Sequence, residues 1–358
     1  MKILQLVTIL IFYNLVVNAQ LDSLDIKIGQ MIMVGMKGTS VTPNSKIIQH
    51  IKNKTIGGVL LFEFNLNPIS TQQNLKKLTS DLKSASDIPL LIAIDQEGGK
   101  VNRLKPKYGF EQMPSAKSLS EKSNLQKVSN TAQVISNALY QTGININFAP
   151  VLDVHNDMCP VLGKLGRCYS SNVDTIALMA SILLDSMNKQ KIVGVGKHFP
   201  GHGNSRTDSH KGLVDVTNYW EPIEIQPYQF LIENNKLKAI MTGHIINRKL
   251  DKTNKPATLS KEIVTNILRK KMKFDGVIFS DDMQMHAISS HYGFEESIKL
   301  AINAGVDILI FSNNIEKATQ YTPENIHKTI KQLVQSGAIS LNRINESYQR
   351  IITLKNQL

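Results

Sequence analysis

Cysteine is scarce in this chain: 358 residues contain two, Cys159 and Cys168. That excludes a disulfide-built scaffold, and the pair lacks the further nearby ligands that a structural zinc site needs. In an oxidising compartment the two could close a small loop, and the export argued below tilts the expectation towards that disulfide. Also missing is any basic block interleaved with aromatics, although 41 basic residues against 29 acidic ones give a net charge of +12. The cations are scattered, as at Lys270, Lys271 and Lys273 near an expected helix end, so nucleic acid is not an expected partner. Such a charge still suits anionic glycans or wall polymers. There is no low-complexity stretch, no solenoid repeat and no linker marking a second domain. The stretch from Gly35 to Ser40, GMKGTS, is a poor match to a dinucleotide fingerprint. Beyond the first twenty residues, no apolar run reaches the ~20 residues of a membrane span.

Those first twenty residues, MKILQLVTILIFYNLVVNAQ, place Lys2 before an apolar run that closes on Val17-Asn18-Ala19. The pattern predicts a secretory signal cleaved after Ala19, with a retained anchor as the alternative. No cysteine stands at the cleavage point, which argues against a lipoprotein. The expectation is a periplasmic or secreted protein, monomeric and without a membrane span, whose residues 20–358 form one domain. A hydrophobic content of 42% with 20% charged residues is that of a globular chain.

What the chain does have is alternation. Apolar runs occur at Gly29 (GQMIMVG), Ile56 (IGGVLLF), Pro89 (PLLIAID), Ile146 (INFAPVLDV), Ile192 (IVGVGKHF), Lys238 (KAIMTGHI), Asp275 (DGVIFSDD) and Val306 (VDILIFS). Unbroken apolar runs of this length read as strands buried on both faces. Helical patterns lie between most of them. STQQNLKKLTSDL offers a Ser70/Gln73 capping box and a Leu75, Leu78, Leu82 stripe. LSKEIVTNILRKKMK starts at a possible Ser260 cap and ends in cations. The tail from Asn325 to Leu358 is predicted helical, with Leu341, Ile344, Tyr348, Ile351 and Ile352 at helical spacing. Eight strand–helix alternations predict an α/β fold, a single-domain (β/α)8 TIM-type barrel, ahead of an open doubly wound sheet.

In such a barrel the C-terminal ends of the strands share one rim, where active sites form. The runs here end in Asp95, Asp153, Lys197-His198, His244, Asp281-Asp282 and Ser312, so these groups are expected to converge. Of the adjacent acids Asp281 and Asp282, one could serve as nucleophile or metal ligand while the other caps the following helix. The loop KHFPGHGNSRTDSH, residues 197–210, ends in Asp208-Ser209-His210, where a carboxylate could orient an imidazole for proton transfer. A surface turn is the ordinary alternative. In DQEGGKVNR, Asp95 and Arg103 are suited to sugar hydroxyls or to pairing with each other, and Glu97 could support them. His244 reads most simply as a buried histidine satisfied by a carbonyl. Lys197 ends a fully apolar strand and needs a partner.

Together, KHFPGHG, DSH, FSDDMQM and DQEGGKVNR resemble the family 3 glycoside hydrolases, in their β-N-acetylglucosaminidase branch. FAPVLDV, MTGHI, PATLS and RINESYQRIITLK extend the resemblance from about Gly29 to Lys355. It implies a retaining double displacement, with Asp281 as nucleophile and His210, assisted by Asp208, as acid/base. It implies that Asp95, Arg103, Arg167, Lys197 and His198 hold the sugar, and that no metal or organic cofactor is used. The expected substrates are terminal β-GlcNAc units of peptidoglycan fragments, muropeptides included, or of chitin-type oligosaccharides. Two-domain members draw their acid/base from a second domain, which this chain lacks. The segment LGKLGRCYS around Arg167 is longer than the family's usual pattern, Asn204 stands where an acid is common, and Lys100 replaces a common arginine. The alternatives are a β-glucosidase or other family 3 specificity, a metal-dependent barrel hydrolase using His198, His202, His210, His244 and Asp281, and a non-catalytic glycan-binding barrel.

Overall fold

A strand covered on both faces is apolar at most positions, and the eight mostly apolar runs become strands for that reason. The computed structural model describes residues 24–121, 124–208, 212–315 and 318–358. The expected leader, residues 1–19, and His210 lie outside the described residues. The strands are β1 (Ile32–Gly35), β2 (Gly58–Leu61), β3 (Leu91–Ile94), β4 (Ile146–Asn147), β5 (Val193–Phe199), β6 (Ala239–Thr242), β7 (Val277–Asp282) and β8 (Ile308–Phe311). They pair in parallel and in chain order, and β8 returns to β1 to close the (β/α)8 barrel. Every residue of β2, β3, β5, β6 and β8 is buried. Two further short strands, Val214–Asp215 and Ile245–Ile246, pair in parallel outside the barrel. Two-residue strands carry no periodicity by which a sequence would reveal them.

The helices follow the expected stripes with three corrections. Helix Thr71–Lys83 buries Leu75, Leu78 and Leu82, but Ser70 makes no side-chain cap. Its backbone is left-handed (φ 48°), and the turn before the helix is held instead by Asn67 Oδ1, which accepts Ile69 N–H at 2.9 Å. Ser260 does accept Ile263 N–H at 3.1 Å, yet the segment it starts, Glu262–Lys271, is π-wound rather than α. The tail is two helices, Pro323–Gln335 and Leu341–Lys355, with Ile344 and Ile351 buried and Leu341 left exposed. Cys159 and Cys168 are free thiols, so the expected disulfide is not there. Cys159 Sγ faces Ser205 Oγ at 3.2 Å, and both cysteines pack with Val151 and Leu162 in a small apolar cluster.

At the end of the barrel opposite the rim, fully buried Asp307 precedes β8 and collects three arginines. It accepts from Arg343 Nη2 at 2.8 Å and Ile278 N–H at 3.0 Å, pairs with Arg269, and lies 3.7 Å from Arg350. Removing one member of a buried ion cluster leaves the others uncompensated, at a cost of about 3–5 kcal/mol. Asp307→Ala should lower unfolding stability by that order in a urea titration. Below its own melting range it should keep the parental kcat, because the cluster lies at the far end of the strands.

Candidate active site

The C-terminal ends of the strands surround a cavity of about 550 Å3 whose polar lining includes Asp95, Arg103, Arg167, Lys197, Asp208 and Asp281. Its floor is apolar, with Phe148 set edge-to-face on Phe279 at 5.6 Å. Its mouth is apolar too. Phe62 lines the cavity and stacks on exposed Phe64 at 5.3 Å, and Leu165 and Ile315 contribute from two other loops.

One ion network ties three loops together beneath this opening. Lys197, 2% exposed at the end of β5, donates to Asp95 Oδ1 at 2.8 Å and pairs with Glu97 Oε1 at 2.7 Å. Arg167 grips both oxygens of Glu97 at 2.8 Å, a bidentate pairing, and donates to the Val161 carbonyl at 3.0 Å. Arg103 Nη2 reaches Asp95 Oδ2 at 3.5 Å, while its buried Nε–H has no acceptor among the described residues. Burial opposes ionisation of Glu97, but the charges of Arg167 and Lys197 outweigh it and hold its carboxyl at about 2. Asp95 is held below the ordinary carboxylate value in the same way, against burial, by Lys197 and Arg103. For Lys197, burial is likewise outweighed by the two carboxylates, which keep the ammonium charged.

A second buried carboxylate organises the loop that follows β5. Asp153 Oδ2 accepts from His198 Nδ1 at 2.7 Å, and Oδ1 accepts His202 N–H at 2.7 Å. His202 is pushed down to about 4, first by burial and then by neighbouring His198, and its Nδ1 meets Ser205 Oγ at 2.8 Å. The loop lies against the β4 segment so closely that a Cβ on Gly203 would sit 1.9 Å from the Val154 carbonyl oxygen, so position 203 admits only glycine.

The two acids of β7 both border the cavity but differ in their partners. Asp281 lines the cavity, with Oδ1 accepting Asp282 N–H at 2.8 Å. Asp282 is mostly sealed and accepts Gln284 N–H at 3.1 Å and Ser312 N–H at 3.2 Å, thereby capping the next turn. Burial pushes its carboxyl up to about 6. His244 donates Nε2–H to the Asp282 carbonyl at 2.9 Å, so its Nδ1 accepts from Thr258 Oγ1 at 2.8 Å. It braces the strand end that carries the two aspartates.

Residues 23–354 match the family model described as the glycosyl hydrolase family 3 N-terminal domain. The chain belongs to glycosyl hydrolase family 3. This family 3 chain is 34% identical over 288 residues to a beta-hexosaminidase of Tolumonas auensis, covering 79% of this chain and 83% of the relative. A beta-hexosaminidase of Haemophilus influenzae is 33% identical, with 81% of each chain covered. Among solved structures, a family 3 beta-N-acetylglucosaminidase from Paenibacillus superposes with a TM-score of 0.84 at 31% identity. That match covers 93% of this chain but 62% of the Paenibacillus chain, less than two thirds of its length. The beta-N-acetylhexosaminidase of Beutenbergia cavernae superposes at 0.81 with 25% identity, covering 93% of this chain and 98% of its own.

Of the residues singled out in the sequence, Asp95, Arg103, Arg167, Lys197, His198, Asp208 and Asp281 line one cavity of the family 3 barrel. His210 lies outside the described residues. Sequence reasoning gave Glu97 only a supporting part, whereas it grips Arg167 and Lys197 at once. It missed the apolar mouth and buried Glu224, whose carboxylate accepts from the loop after β5.

A depressed carboxyl stabilises the fold above its unfolded value and loses that contribution as pH falls towards its folded value. For Glu97 the window runs from 4.5 down to about 2. Glu97→Gln should therefore destabilise the protein at pH 7 by about 1.5–3 kcal/mol, the worth of hydrogen bonds to a charged group. Urea titrations of parent and variant should converge as the pH is lowered through that window.

Proposed function

We propose that this glycoside hydrolase is a retaining exo-β-N-acetylglucosaminidase. The observation that carries the reading is Asp281 at the end of β7, facing a cavity whose opposite wall presents the Asp95–Lys197–Arg103–Arg167 network, in a chain of family 3. The relatives named beta-hexosaminidase, and the Paenibacillus family 3 beta-N-acetylglucosaminidase, support a hexosamine at this position. Asp281 attacks the anomeric carbon as the glycosidic carbon–oxygen bond breaks, and His210 gives its proton to the leaving oxygen. His210 then takes a proton from water, which attacks the same carbon and releases Asp281. Asp208 orients His210. Asp95, Arg103, Arg167, Lys197 and His198 hold the sugar hydroxyls.

The substrates proposed are peptidoglycan fragments, including muropeptides, or chitin-type oligosaccharides, a choice that suits the net charge of +12. Export follows from residues 1–19, with Gln20 as the first residue of the mature protein. Among the described residues no helix is long and apolar enough to cross a membrane.

Asp281→Ala should abolish nitrophenol release from the nitrophenyl β-GlcNAc glycoside, and His210→Ala should slow it by roughly 100- to 10,000-fold. A fluorinated GlcNAc donor should leave an adduct on Asp281 by mass spectrometry. Unchanged turnover in the Asp281 variant would remove the nucleophile assignment. Faster hydrolysis of glucosides across a nitrophenyl glycoside panel would replace the sugar.

A further inference from the structure

The loop from Pro200 to Asp208 rests on a carboxylate that the reaction does not use. Glu224 is fully buried in the turn Pro222–Ile225, ahead of helix Gln226–Glu233. Its Oε2 accepts Gly203 N–H at 3.2 Å and its Oε1 accepts the Asn204 side-chain amide at 3.0 Å. Asn204 Oδ1 in turn accepts from Asn156 Nδ2 at 2.6 Å, and Asn156 Oδ1 accepts Met158 N–H at 2.9 Å. Gly201 completes the seat, since at φ 118° a Cβ there would lie 2.5 Å from Glu224 Cβ. The chain of amides has one direction. Met158 N–H can only donate, an ionised carboxylate can only accept, and both asparagines are forced into a single orientation between them.

A buried carboxylate held by neutral donors alone is costly for a fold to keep. Burial pushes its carboxyl up to about 7, with only partial relief from Asn204 and with Asp153 adding repulsion. What the carboxylate achieves is geometric. It fixes Gly203 and Asn204, five and four residues before Asp208, and through Asn156 it ties them to the segment that presents Arg167. Asp153 grips the other side of the same turn through His202 N–H.

We propose that Glu224 is a positioning residue for the acid/base, setting through Gly203, Asn204 and Asn156 the turn that leads to Asp208 at the cavity. The inference rests on the reading of His210 as acid/base. The titratable groups facing Glu224 are Asp153, from the segment after β4, and Tyr228, on the helix that follows it.

The test compares two β-GlcNAc glycosides in the full chain. One carries dinitrophenol, which leaves without a proton, and the other methylumbelliferone or a sugar, which leaves more readily with one. Glu224→Gln puts an amide donor against Gly203 N–H or the Asn204 amide, so the relay cannot keep its direction. The expected result is a fall in kcat/KM of roughly 10- to 100-fold on the poorer leaving group, within the range of general acid catalysis. The dinitrophenyl substrate should change little in kcat/KM, and azide should accelerate its turnover in the variant. Asn204→Asp gives a second reading should Glu224→Gln not fold. It sets two carboxyls face to face, so its activity relative to the parent should recover as pH is lowered and a proton is shared between them. Equal losses on both substrates, or lowered thermal stability with parental kinetics, would overturn the proposal and leave Glu224 as scaffold. His210→Ala is the control. If it discriminates between the substrates and Glu224→Gln does not, the relay alone falls; if it does not discriminate, the acid/base reading falls and the relay with it.

Discussion

The ammonium of Lys197, shut away from water between the carboxylates of Asp95 and Glu97, is the contact on which the site depends. A lone buried ammonium would be driven to shed its proton, and two adjacent buried carboxylates would repel each other. Interleaved with Arg167 and Arg103 they neutralise one another, and each keeps its charge. The cluster joins the ends of β3 and β5 to the long segment after β4, which have no covalent reason to meet. Because the carboxylates already bind cations, the charged side chains of the cluster are held in place before any ligand arrives. That preorganisation is what a site for a neutral, hydroxyl-rich ring requires.

The barrel was legible because parallel strands covered on both faces leave a mark, eight runs dominated by apolar residues with few polar interruptions such as Asn147 and Thr242. The site was legible because chain order in a barrel assigns each strand end to one rim, so Asp95, Lys197 and Asp281 could be placed together without knowing any distance. Local signals fared less well. The Ser70-to-Gln73 spacing looked like a cap, but a left-handed backbone at Ser70 turns the hydroxyl away from the first turn. The π winding of Glu262–Lys271 follows from packing, to which residue spacing is blind. The two cysteines were close in sequence and open to pairing, yet Cys159 spends its sulfur on Ser205. Glu224 left no trace at all. In WEPIEIQP it stands beside Glu221, and only the close approach of Gly201 tells which acid is inward.

Two buried carboxylates therefore govern one loop from opposite sides, and they do so differently. Asp153 is stabilised as an anion: burial is overcome by His198 and by backbone donors. Glu224 is held by the Gly203 and Asn204 amides with no cation paired to it among the described residues, and burial pushes its carboxyl up to about 7. The first is an anchor charged by its neighbours, while the second is an anchor that neutral donors alone hold. Asn204, able to donate from one end and accept at the other, is the residue type that such a junction calls for.

The contrast between the charged interior of the cavity and its mouth of Phe62, Leu165 and Ile315 divides any bound molecule in two. The half held inside is inspected by groups that lose most of their value when misplaced by a fraction of an ångström. The half left outside meets chiefly the side chains of Phe62, Leu165 and Ile315, which grip by area and are indifferent to pattern. Such a division makes the interior the stricter of the two contacts and the mouth the more lenient. New leaving partners can then be accommodated by changing the doorway alone, with the socket untouched.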